Sequence, residues 1–126
     1  MRNEDKASVC SPTSRLIFSC SGAADVGEIS DKTARKLTKD GMGKMFCLAG
    51  IGGRVEPIMA ATNSAAQILT IDGCGLDCAK NCLQQVGVNN FQHLRITDMG
   101  MEKGKSPATD ERLLEVAQKA KELFDS

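Results

Sequence analysis

The sequence predicts a three-layer α/β/α domain on a mostly parallel sheet of at least four strands, and three observations predict it. Four short apolar runs recur along the chain, and stretches of helical apolar spacing follow them. Strands that alternate with helices of about 10–15 residues need crossovers, which favour parallel pairing with helices on both faces. The length of 126 residues suits one core and leaves little room for a second.

Residues 1–14 carry charge, Ser, Thr and Pro without periodicity and are expected as a flexible lead-in, with residues 15–126 as the single α/β domain. Leu16-Ile17-Phe18 reads as a buried strand that meets a turn at Cys20-Ser21-Gly22. Asp25 and Glu28 make a capping-box-like helix start, and Val26, Ile29, Thr33 and Leu37 keep helical spacing as far as Gly41. Residues 44–49 are expected as the second strand and Gly50-Ile51-Gly52-Gly53 as its turn. A helix with Pro57 in its first turn follows. The third strand is Gln67-Ile68-Leu69-Thr70-Ile71-Asp72, turning at Gly73-Cys74-Gly75 into a helix with Ala79, Leu83 and Val86 on one side and Gly87 at its end. His93-Leu94-Arg95-Ile96-Thr97 alternates as an edge strand does, and residues 98–108 form a loop. The last helix, from about Asp110, carries Leu113, Val116, Ala117, Ala120 and Phe124 along one stripe. The architecture is thus Rossmann- or flavodoxin-like, with 2-1-3-4 the common strand order.

Composition narrows the function classes. Lys plus Arg (16) equals Asp plus Glu (16), so no net field recruits nucleic acid or anionic lipid. All four aromatic residues are Phe, which leaves no Trp or Tyr as a base-stacking platform. No apolar run approaches the roughly 20 residues of a membrane span. The charged N-terminus lacks the apolar stretch of a secretory signal, so a reducing cytoplasm is the expected location. Six cysteines in that setting bind metal, do redox chemistry or fill the interior, rather than form a disulfide scaffold.

Four of the six converge by topology. Cys20, Cys47 and Cys74 each lie at or just beyond the expected carboxyl end of a different strand, and Cys78 follows Cys74 by four residues. Ligands of parallel sheets gather at those ends. In the order 2-1-3-4 the tips bearing Cys47, Cys20 and Cys74 are neighbours about 4.8 Å apart. Soft thiolates suit zinc or iron–sulfur chemistry, and four complete a tetrahedral shell. Redox or buried thiols remain open at this point, because Cys74-x3-Cys78 is not the signature Cys-x2-Cys pair. Cys10, in the lead-in, reads as an incidental thiol. Cys82 shares a helix face with Ala79, Leu83 and Val86 and reads as core packing, its rival role being a resolving thiol for Cys78.

Longer strings add a resemblance. Cys20-Ser21-Gly22-Ala23-Ala24-Asp25-Val26-Gly27, Lys44-Met45-Phe46-Cys47-Leu48-Ala49-Gly50-Ile51-Gly52-Gly53 and Ile71-Asp72-Gly73-Cys74-Gly75-Leu76-Asp77-Cys78-Ala79-Lys80 closely resemble the DGC family of zinc-binding proteins, named for its Asp-Gly-Cys triplet. Thr97-Asp98-Met99-Gly100 and Lys103-Gly104-Lys105 look like its late segment, so the resemblance runs from about Arg15 into the last helix. It implies Zn²⁺ held by Cys20, Cys47, Cys74 and Cys78, and on thiolate chemistry iron–sulfur is the alternative occupant. It carries no reaction.

The leading expectation is a cytoplasmic zinc-binding protein whose crevice is structural or takes a small ligand, metal or metalloid. The alternatives are a thiol enzyme using Cys20 or Cys74 as nucleophile, and a protein-interaction module. Four thiolates on one Zn²⁺ leave a charge of about −2, for which Arg54, Lys44 and Lys80 are candidate counter-charges. Asp72 is expected to brace the turn before Cys74 through backbone amides, and Asp98 to form a turn. Met99, Met101, Lys103 and Lys105 lie in a loop that either lids the crevice or faces solvent. His93, opening an edge strand, is expected at the opposite end from the thiols and so neither ligand nor base.

Overall fold

The structure, a computed structural model, describes residues 14–125. The expected lead-in lies outside the described residues except for Ser14, and so does Cys10. Ser14 is buried, and its carbonyl accepts the N–H groups of Ala66 and Gln67 at 3.0 and 3.1 Å.

Strand β1 (Arg15–Ser19) is buried at four of five positions, as a strand with neighbours on both sides must be. It pairs with β2 (Lys44–Met45) on one side and β3 (Gln67–Asp72) on the other, and β4 (Gln92–Arg95) adds to β3. The order is β2-β1-β3-β4 with every pairing parallel, so all four carboxyl ends open on one edge.

Helices cover both faces. Helices α1 (Asp25–Lys39) and α5 (Asp110–Asp125) pack together, and Ile29, Leu37, Val116 and Phe124 join Ile17, Leu69 and Ile71 of the sheet in one apolar cluster. On the other face lie α2 (Leu48–Gly52), α3 (Glu56–Asn63) and α4 (Cys78–Gln85). Their Ile51, Ala79 and Leu83 join Leu16, Phe18 and Ile68. The alternation of Leu16, Ile17 and Phe18 between the two clusters is the period-two pleat of a strand covered on both sides. This is the three-layer α/β architecture that the alternating pattern predicts.

Three elements depart from expectation. Strand β2 spans two residues rather than residues 44–49. Phe46 still donates its N–H to Ile17 O at 2.8 Å, Cys47 is extended, and Leu48 already begins α2. A short apolar run does not distinguish a strand from a buried helical turn, and here Leu48 and Ile51 bury on the far cluster as helical residues. Gly50 lies within that helix rather than in a turn, and the close approach of α3 requires glycine there: a Cβ would sit 2.8 Å from Ile58 Cγ1. Helix α1 has Ala24 as N-cap with no side-chain cap bond, so the Asp25–Glu28 capping box does not form. The carboxylate of Asp25 is used elsewhere, accepting N–H groups of Gly104 and Ser106 at 2.8 and 2.9 Å. Strand β4 ends at Arg95, and Ile96–Met99 is a 3₁₀ turn closed by Gly100 at φ 84°.

Candidate functional site

The triplet Asp72-Gly73-Cys74 ends β3, and each residue has a separate task. Asp72 is 1% exposed. Its carboxylate accepts the N–H groups of Ala79 and Lys80 at 2.8 and 3.1 Å, satisfying the orphan donors of α4 from outside the helix. The bracing amides thus come from the first turn of α4. Gly73 leaves no room for a side chain, since a Cβ would lie 2.9 Å from the backbone of Val26 in α1. Its N–H donates to Cys20 Sγ at 3.3 Å, and its carbonyl accepts Thr97 N–H at 3.2 Å. The triplet therefore joins the loop after β1, the start of α1 and the segment after β4. Cys74, partly buried, packs at the margin of the α1–α5 cluster.

The other thiols stand on the same edge. Cys20 follows β1, its N–H shared between Ile71 O at 3.1 Å and Ser30 Oγ at 3.3 Å. Cys47 is the exposed N-cap of α2, and Cys78 is the exposed first residue of α4. Burial pushes the Cys78 thiol up, with further upward effects from the Asp72 carboxylate and from Cys20, Cys74 and Cys82. Cys82, partly buried, packs against the far cluster as its helix face predicts.

Sulfurs in a tetrahedral zinc shell lie about 3.8 Å apart. Among the described residues no three thiols approach one another within 4.8 Å, so the four thiols share this edge without forming a metal-site arrangement. Lys103, in the loop after Gly100, is the cation that reaches a thiol, with Nζ 3.8 Å from Cys74 Sγ. Arg54 instead donates to the carbonyls of Ile51 and Gly52 at the end of α2. The loop bearing Lys103 is anchored on Asp25, and Met101 within it is buried.

His93 is a correction. The structure brings it to the thiol edge, where Nε2 lies 3.0 Å from Asp72 Oδ2 and 3.6 Å from Asp77 Oδ1. Strand β4 is only four residues long, and the register Thr70↔His93 leaves His93 two residues short of the Asp72↔Arg95 pair. The ring spans that step, about 7 Å. Asp72, Asp77 and His93 form a group whose ligand atoms lie within 4.8 Å of one another. Its carboxylates are already engaged: Asp72 by α4, and Asp77 by the guanidinium of Arg95. That guanidinium holds the Asp77 carboxyl below the usual range, and Asp77 raises Arg95 in turn. Arg95 also donates to Asp98, which is exposed. The group is a satisfied network of hydrogen bonds, joined to the Arg95–Asp77 ion pair, that braces the turn between Cys74 and Cys78. Only the strand register reveals it, and residue spacing does not.

Comparison with known proteins gives a consistent picture. The chain is 34% identical over 88 residues to the anaerobic and virulence modulator AnvM of Pseudomonas aeruginosa, an overlap that covers 70% of this chain and 67% of that protein. No solved structure matches the chain. The DGC domain matches residues 16–120, the span that holds nearly all of the sheet, most of both helical layers and all four rim thiols, and the chain belongs to the DGC-domain family.

Proposed function

We propose that this is a cytoplasmic zinc-binding protein that holds one Zn²⁺ at the carboxyl edge of its sheet through Cys20, Cys47, Cys74 and Cys78. The observation that carries the reading is the bond from Gly73 N–H to Cys20 Sγ, which ties two thiol-bearing loops together within the triplet itself. The donor set suits the ion. Thiolates are zinc's preferred soft ligands, and the Gly73 amide and the Lys103 ammonium offset part of the charge of about −2 that four of them leave. Cys47 and Cys78 are exposed, which favours an exchangeable ion over a sealed structural one. When bound, zinc would cross-link the loops and supply an open Lewis-acidic position if one thiolate gives way to a small ligand. The Pseudomonas relative is named a modulator, and a binding role accords with that name.

A second reading rests on Lys103. Its ammonium lies 3.8 Å from Cys74 Sγ, placed to hydrogen-bond a sulfur that acts as nucleophile. Zinc analysis of the purified protein and of single Cys→Ser variants separates the readings. One zinc per chain is expected, with strong loss at Cys20, Cys47, Cys74 and Cys78 and near-full retention for Cys10 and Cys82. Equal retention in all six variants would remove the site, and brown visible absorption would replace zinc by iron–sulfur.

A further inference from the structure

Among the described residues three that are not glycine hold a positive φ: Ser21, Arg54 and Asp77. Two of them adjoin rim thiols, Ser21 after Cys20 and Asp77 before Cys78. The Cβ of an L-residue disfavours this conformation, less for Asp than for most, so the contacts around such a residue show what holds it there. Asp77, at φ 52° and ψ 47°, is the N-cap of α4, a position where an Asp side chain ordinarily turns back to accept from the helix. It makes no such bond. Arg95 Nε donates to its Oδ1 at 2.9 Å and Nη2 to its Oδ2, while Asp72 does the capping.

The geometry points to Arg95 as a positioning residue for the metal site: its guanidinium fork clamps Asp77 in the left-handed turn and so sets the direction from which Cys78 enters the thiol rim. The inference rests on the zinc reading and adds to it a residue that acts on the site through Asp77. Arg95 is the last residue of β4 and pairs in register with Asp72, so the clamp fastens the edge strand to the segment between Cys74 and Cys78. Two N–H donors on one carboxylate fix its plane as well as its distance, which a lysine at this position would not do. The remaining closure is local: Asp77 N–H donates to Cys74 O at 3.1 Å, and Asn81 Nδ2 to Leu76 O at 3.0 Å.

A double-mutant cycle across the Arg95–Asp77 pair tests the clamp, with glycine at position 77 because it leaves the left-handed turn accessible while removing the carboxylate. Co²⁺ is titrated into wild type, Arg95→Leu, Asp77→Gly and the double variant, followed by the thiolate-to-cobalt absorption, and Zn²⁺ then competes it out. Arg95→Leu is expected to weaken binding about ten-fold, in the range of losses seen when the supports of ligands are removed. Asp77→Gly, which removes the carboxylate that the fork holds, should weaken binding to a similar degree, and adding Arg95→Leu to it should cost little more. Equal losses from Arg95→Leu in both backgrounds, or none in either, would overturn the clamp. If Arg95→Leu does not fold by circular dichroism, Arg95→Lys takes its place, with a loss of about three-fold that is absent in the Asp77→Gly background. A wild type without a cobalt–thiolate band overturns the zinc reading alone. The clamp is then decided in metal-free protein by the iodoacetamide alkylation rate of Cys78 relative to Cys20. Arg95→Leu should change that ratio at least about three-fold in the Asp77 background and not in the Asp77→Gly background, and an unchanged ratio would sink it.

Discussion

At position 73 glycine is required by space rather than by torsion. A Cβ would press on the Val26 backbone at 2.9 Å, and the contact is with main chain that has no rotamer to change. Gly73→Ala is expected to destabilise the protein by about 1–3 kcal/mol, the usual cost of overpacking a fitted site. Gly75→Ala, two residues on, meets nothing within 4 Å and should change stability by less than about 0.5 kcal/mol. Urea unfolding of the two variants checks this, and equal midpoints would show that α1 does not bear on the triplet. The thiols were legible as a group because residues just past strand ends share an edge in any parallel sheet. His93 was not. Its place depends on the length of β4 and its offset against β3, and neither is encoded in local spacing. Lys103 was legible as part of a loop near the crevice, but its approach to Cys74 depends on the anchor of neighbouring Gly104 on Asp25, two residues 79 apart in sequence.

That anchor belongs to the scale of elements. The loop after the 3₁₀ turn has no regular structure to hold it over α1, and two amides on one carboxylate supply the fastening. Hydrogen bonds from Gly104 and Ser106 lower the Asp25 carboxyl below its ordinary value of 3.8. A lowered carboxyl stabilises above its unfolded value, and the contribution is lost as pH falls through the folded one. The loop is therefore expected to loosen in acid while β1 and β3 stay paired. Amide shifts of Gly104 and Ser106, followed by nuclear magnetic resonance from neutral pH downward, should move together with a midpoint under 3.8. Asp25→Asn should speed hydrogen exchange at those two amides at neutral pH. Shifts that track global unfolding, or exchange unchanged in Asp25→Asn, would dissociate the carboxylate from the loop. Elements at this scale were read well where they were long: β3 and α5 start and end close to expectation because their apolar patterns are sustained. At β2 and α2 only the cluster that Leu48 and Ile51 join settles strand against helix.

Across the whole molecule, the core and the thiol edge are built from different residues. The two apolar clusters consist of aliphatic, Met and Phe side chains on either face of the sheet, and Cys74 and Cys82 touch them only at their margins. Folding free energy from burial is thus available without any sulfur–metal bond, unlike small zinc domains in which the metal is the core. The alternation that builds these clusters is also what made the architecture legible before any contact was known. A protein with Cys20, Cys47, Cys74 and Cys78 all replaced by Ser is accordingly expected to unfold cooperatively, within about 2 kcal/mol of the metal-free wild type. The difference should appear on adding zinc. An ion that binds only the folded state stabilises by about 2.7 kcal/mol at one hundred times its dissociation constant, so the wild-type melting temperature should rise with zinc concentration while that of the four-serine variant stays level. Calorimetry of both proteins with and without chelator measures this. A four-serine variant that fails to fold would make the metal part of the scaffold, and the exposed Cys47 and Cys78 would then have to be drawn inward to complete the core.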